Sequence, residues 1–231
     1  MPRTTTSLGL ALGTRPAGTP LSPALTGART IMCIGDSITR GWLPTGVTEG
    51  GYRVPLASYI ATAGLPWTMI GPYDDYGAHA GVNGRSIPGL TAAIPTLIGP
   101  GYYRPDCLVV LIGSNDMSDG AGAATGYGAL LDAIETAEPD VRLVVSTTLP
   151  RLPTATPDAQ RAIFEAALPA VLDASAQHAD GRMVRCGGVY AATLGTTGVG
   201  GDVHPTAAGY AMMAAEWWPS ICHALGRDAE W

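Results

Sequence analysis

The chain has 231 residues, 46% of them hydrophobic and 14% charged, which is ample for one sizeable core and excludes a disordered chain. A formal net charge of −6 excludes non-specific nucleic-acid binding, which needs a cationic field. All 13 basic residues are arginine, so Schiff-base and lysine-nucleophile chemistry is excluded as well.

Residues 1–29, rich in Thr, Pro, Gly and Leu, read as a tail or surface strap before a single domain over 30–231. Their longest apolar piece, LGLALG, is short for a signal-peptide core, and no run approaches the roughly 18 residues of a membrane span. Five aliphatic or β-branched runs then predict strands at 30–35 (TIMCIG), 67–71 (WTMIG), 107–113 (CLVVLIG), 142–147 (RLVVST) and 182–186 (RMVRC). The third and fourth are almost continuously apolar, the pattern of parallel strands covered on both faces. Helical spacing fills the intervals at 52–63, 121–138, 157–178 and 206–225. The third of these helices opens on Thr156-Pro157, a proline suited to the first helical turn, and Pro169 inside it predicts a kink. Alternating strands and helices predict an α/β fold with right-handed crossovers. The four cysteines are far apart with no C-x-x-C pair, and no His/Asp/Glu cluster has ligand spacing, so neither a metal nor another cofactor is expected.

Ligands of such sheets bind beyond the carboxyl ends of the strands. Two polar clusters fall there, GDS (35–37) after the first run and GSND (113–116) after the third. A third, GDVHP (201–205), precedes the last helix. A serine hydroxyl needs a base within hydrogen-bond reach to act as a nucleophile. Among the four histidines, His79 falls in a loop, His178 near a helix end and His223 late in the final helix. His204, restrained by Pro205, is the one on a constrained turn with an acidic neighbour. Taken singly, a histidine before a proline and a Gly-Asp-Ser turn are ordinary structural features; their joint occurrence with GSND favours a site. Three donors suit a developing oxyanion: the Ser37 N–H, the Gly84 N–H in GVNGRSI, and the Asn115 side-chain amide. Together with Ser37 and His204 they complete an acyl-transfer set.

The blocks IGDSITRG, AGVNGRSI, LIGSNDM and DVHPTAAGY, in that order, resemble the four blocks of the SGNH (GDSL) hydrolase superfamily, over residues 30–225. The resemblance implies a three-layer α/β/α sandwich with a central, mainly parallel five-stranded sheet of flavodoxin-like type. It implies Ser37 as nucleophile, Gly84 and Asn115 as oxyanion-hole members with the Ser37 amide, His204 as base, and no cofactor. GGYR (50–53), HAGVNGRSI (79–87), GSNDM (113–117) and HPTAAGYAMMAAEWW (204–218) further resemble acetyl xylan and related carbohydrate esterases, implying an acetylated sugar as substrate. Lysophospholipases, arylesterases and thioesterases of the superfamily use the same residues, and a catalytically silent carbohydrate-binding module would keep the fold without needing an aligned base. One departure stands out. The superfamily has Asp three residues before the histidine, whereas here that position is Gly201 and the acid, Asp202, is two before. Residues two apart share a face only on extended backbone, so either Asp202 or a backbone carbonyl orients His204. Asp36 and Asp116 are expected to brace loops, Arg53 to anchor a loop or substrate, and Trp42, Tyr52 and Tyr73 to line a sugar cleft.

Overall fold

The computed structural model of the chain describes residues 27–149, 155–187 and 203–226. A parallel sheet forms the centre, with strands β1 (Arg29–Gly35), β2 (Trp67–Met69), β4 (Cys107–Leu111), β5 (Arg142–Ser146) and β6 (Met183–Cys186) in the order β2-β1-β4-β5-β6. All five expected runs are strands, and the three-layer α/β/α expectation holds. One correction concerns strand number: a two-residue strand, β3 (Ala80–Gly81), pairs with the end of β1 beyond β2, making six. Two residues carry no alternation to read, which is why the sequence pattern passes over it. The first strand also starts one residue before the expected domain boundary, at Arg29; the rest of the proposed N-terminal strap lies almost wholly outside the described residues.

β4 and β5 are buried at every position because helices cover both of their faces. The helices are α1 (Ser37–Arg40), α2 (Arg53–Thr62), α3 (Ile87–Ala93), α4 (Gly120–Ala137), α5 (Ala155–Asp173), α6 (Ala176–Ala179) and α7 (Ala207–Ala224). The chain crosses from β1 to β2 in one direction and from β4 through β5 to β6 in the other. Right-handed crossovers therefore send α2 to one face and α4 and α5 to the opposite face. The last helix, α7, returns to the α2 side and packs on β4, β5 and β6. Its inner stripe of Tyr210, Met213, Ala214, Trp217, Trp218 and Ile221 is buried; the rings of Trp217 and Tyr52 lie 5.9 Å apart, those of Trp218 and Tyr59 5.7 Å. Among the described residues no helix is long and apolar enough to cross a membrane.

Two helical expectations need correction. The span expected as one helix over 157–178 is two: α5 ends at Asp173, passing Pro169 without a break, and Ser175 caps the separate one-turn α6 by accepting from the His178 N–H. The helix α3, continued by a 3-10 turn at Ile94–Thr96, was not expected. Its signature is legible in retrospect: Ser86 accepts from the Gly89 N–H as N-cap, and Pro88 follows in the first turn.

The direction of the crossovers reverses between β1 and β4, and their carboxyl ends form the crevice where a ligand site is expected. GDS closes β1 there and GSND follows β4.

Candidate active site

The strand-to-helix turn after β1 is built by three neighbouring residues. Gly35 has no room for a side chain: a Cβ would stand 2.0 Å from the Leu111 carbonyl oxygen at the end of β4 and 2.4 Å from Thr39 Oγ1. Asp36 is the N-cap of α1, its Oδ1 accepting from the Ile38 N–H at 2.8 Å. Gly41 ends the helix in the left-handed conformation. Between them Ser37, 8% exposed, directs its hydroxyl at the His204 ring, with Oγ 2.9 Å from Nε2. His204 precedes α7, whose N-cap Thr206 accepts from the Gly209 N–H. The turn and the ring come together although 167 residues separate them. Asp202 lies outside the described residues.

Beside the imidazole, the half-buried Trp42 ring sits 6.3 Å from it, and its backbone carbonyl accepts from the Tyr210 hydroxyl of α7 at 2.7 Å. Of the other two aromatic residues expected in a sugar cleft, Tyr73 is 44% exposed and packs on His79. Tyr52 is not a cleft residue. It is fully buried at the base of α2, and its hydroxyl pairs with Thr39 Oγ1 at 3.0 Å, because α2 lies against α7 and closes the space between them.

Gly84 occupies a tight turn in which the Arg85 N–H donates to the Val82 carbonyl at 3.1 Å. Its φ of +70° favours glycine, and a Cβ there would meet nothing within 4 Å, so its surroundings are open. The Ser37 and Gly84 N–H groups find no acceptor among the described residues. Asn115 joins this turn to the Ser37 turn: Nδ2 donates to the Arg85 carbonyl at 2.9 Å and to Asp36 Oδ2 at 3.3 Å. Both hydrogens of the amide are thus engaged, the Asp36 contact being the longer. Asp116 holds the far end of the turn, both carboxylate oxygens accepting from the Ile87 N–H at 3.1 Å. Burial pushes the Asp36 carboxyl up to about 7, the charge of Asp116 adding to the rise and the Ile38 N–H opposing it.

Behind α1 lies a second polar cluster. Arg53 is completely buried and donates to five backbone carbonyls, those of Thr39 and Arg40 on α1 and of Asp75, Tyr76 and Gly77 on the loop before β3. It anchors a loop, one of the two roles expected of it. His79, expected as a loop histidine, is also completely buried, with Nε2 2.8 Å from Asp75 Oδ1. The sequence signal for this pair is an Asp four residues before a His; nothing local indicated that the histidine would be enclosed.

A family model described as the GDSL-like lipase/acylhydrolase family matches residues 33–212. A multidomain esterase of Ruminococcus flavefaciens is 29% identical over 270 residues, covering 94% of this chain and 32% of that protein. The chain thus spans about a third of that curated relative's length. The solved structure of a Clostridium thermocellum family 3 carbohydrate esterase superposes with a TM-score of 0.69 at 24% identity, covering 86% of this chain and 98% of the other. A carbohydrate esterase family 3 structure from Talaromyces cellulolyticus gives 0.68 at 20% identity, covering 85% and 98%. At these identities the two likenesses are of fold.

Proposed function

Because the chain belongs to the GDSL-like lipase/acylhydrolase family, we propose that it is a serine esterase that removes short acyl groups, acetyl foremost, from carbohydrate. The observation that carries this reading is the 2.9 Å contact between Ser37 Oγ and His204 Nε2 at the carboxyl edge of the sheet. That contact lets Nε2 take the hydroxyl proton as the serine oxygen bonds to the ester carbonyl carbon. The carbonyl oxygen then carries the negative charge, facing the Ser37 and Gly84 N–H groups. Asn115 joins them by releasing its longer contact to Asp36. Each such donor is worth about 2.7–4 kcal/mol of transition-state stabilisation. His204 returns the proton to the leaving alcohol as the C–O bond breaks. A water, deprotonated by the same ring, attacks the acyl-serine and frees the acid and the enzyme. Asp202 is proposed to orient His204 through locally extended backbone.

The acetyl and carbohydrate parts of the reading are supported by the names of the proteins that share the fold, among them the family 3 carbohydrate esterases and an acetyl esterase. The Trp42 ring beside His204 adds an apolar plane suited to one face of a sugar.

The test is hydrolysis of acetylated sugars and of p-nitrophenyl esters graded in acyl length. The wild type is expected to prefer acetyl, and Ser37→Ala to lose about 10³-fold or more in kcat and its labelling by a fluorophosphonate. Asp202→Ala is expected to lose more than about tenfold. Full activity in Ser37→Ala removes the nucleophile assignment, and a preference for long acyl chains removes the substrate class.

A further inference from the structure

We infer that His79 is a positioning residue for the oxyanion turn, its neutral ring pinning Gly81 through Nδ1 while Asp75 holds the opposite nitrogen. The inference rests on the serine-esterase reading above and deepens it.

The tautomer follows from the partners. The Gly81 N–H donates to Nδ1 at 3.0 Å, so Nδ1 carries no proton, and Nε2 donates its hydrogen to Asp75 Oδ1 at 2.8 Å. Asp75 is itself fixed, its Oδ2 accepting from Arg40 Nε at 3.1 Å and its carbonyl from Arg53 at 3.0 Å. Burial raises the Asp75 carboxyl, but the hydrogen bonds from His79 and Arg40 outweigh it and hold the group at about 2.

Gly81 matters because of what it touches. It belongs to β3, paired with Gly35, and a Cβ on it would stand 2.5 Å from the Arg40 N and 3.0 Å from the Asp36 carbonyl oxygen. The strand therefore lies directly on α1, which begins with Ser37. Immediately beyond it the Val82 N–H donates to the Gly35 carbonyl at 3.1 Å and the chain turns through Gly84. Asn115 and Asp116 hold the far side of that turn, and the His79 ring holds the near side. Without an acceptor for the Gly81 N–H, a buried donor is left unpaired at the contact that aligns Gly84 with Ser37.

The groups facing the ring are the Asp75 carboxylate, the Arg40 and Arg53 guanidiniums and the Tyr73 ring, 5.6 Å away. Burial and the charge of Arg53 lower the imidazole's affinity for a second proton, against the pull of Asp75. That second proton would go to Nδ1, where it opposes the Gly81 N–H.

Two substitutions separate the arms. In His79→Asn the amide oxygen stands near the Nδ1 position and still accepts from Gly81. In His79→Gln the amide reaches Asp75 but leaves the Gly81 N–H without its acceptor. With p-nitrophenyl acetate, His79→Gln is expected to lose about tenfold to a hundredfold in kcat with KM little changed, while His79→Asn stays near wild type. Equal kcat in the two variants, whether high or low, overturns the inference. Where His79→Gln does not fold, the pH profile decides: on the acid side kcat of the wild type is expected to fall about tenfold to a hundredfold further below its plateau than kcat of His79→Asn, and superimposable profiles overturn it. Ser37→Ala is run alongside. If it is inactive while the His79 comparison fails, this inference alone falls; if it is active, the nucleophile assignment falls and this inference with it.

Discussion

Asp36 is drawn in two directions. Its oxygens accept from the Ile38 N–H and the Asn115 amide, which favours the carboxylate, while complete burial favours the neutral acid and brings the group to about 7. An unfolded aspartate titrates near 3.8, so between that value and about 7 the folded chain holds a proton that the unfolded chain has released. The stability this group contributes is therefore present below about 3.8 and lost as the pH rises through about 7. Asn at this position does not titrate. Calorimetric melting of Asp36→Asn and wild type should show a Tm difference, variant minus wild type, that is more positive at about pH 8 than at about pH 4, each kcal/mol corresponding to about 2–4 °C in a chain of this size. The same difference at both pH values would mean that the carboxyl is ionised throughout. That this residue braces the turn was legible from Gly-Asp-Ser; that it does so as the cap of a short helix came from the structure. Its proton affinity was not, since burial depends on β4 and the 113–116 loop, some 80 residues further along.

The four-residue helix α1 is too short to hold itself together in water, where nucleation alone is unfavourable. Asp36 satisfies an N–H at its start, and Arg53 satisfies the Thr39 and Arg40 carbonyls at its end while gathering the 75–77 carbonyls. A lysine keeps the charge but offers three donors on one nitrogen in place of a planar fork, and cannot span both segments. Arg53→Lys should therefore cost about 3 kcal/mol in urea unfolding, through carbonyls left buried without donors, and should lower kcat as well. Unchanged stability would show that the fork is dispensable. The sequence marked Arg53 as an anchor of a loop or of substrate and could not choose between them, because all five of its acceptors are backbone carbonyls and leave no trace in residue identity. Tyr52 shows the converse: an aromatic after two glycines, at the start of the expected 52–63 helix, suits a cleft, yet the packing of α2 on α7 buries it.

The site is assembled from turns that follow β1 and β4, from the loop around Gly84, and from the segment before α7, so no part of it exists outside the folded sheet. Loss of Ser37 reactivity and loss of tertiary structure should accordingly be a single event. Fluorophosphonate labelling and the fluorescence of the buried Trp217 and Trp218 should follow the same urea transition, and labelling that fails at lower urea would reveal a site that opens locally before the core.

By itself the sequence determined the α/β class, five of the strands and the nucleophile and base candidates. Those rest on local signals: doubly buried strands read as unbroken apolar runs, and chemistry-bearing turns read as polar clusters at strand ends. The sixth strand, the double engagement of the Asn115 amide, and the enclosure of His79 and Arg53 were decided by the tertiary structure. Each depends on backbone groups brought together from distant segments, and a backbone carbonyl or N–H is the same in every residue, so only the folded arrangement says which of them meet.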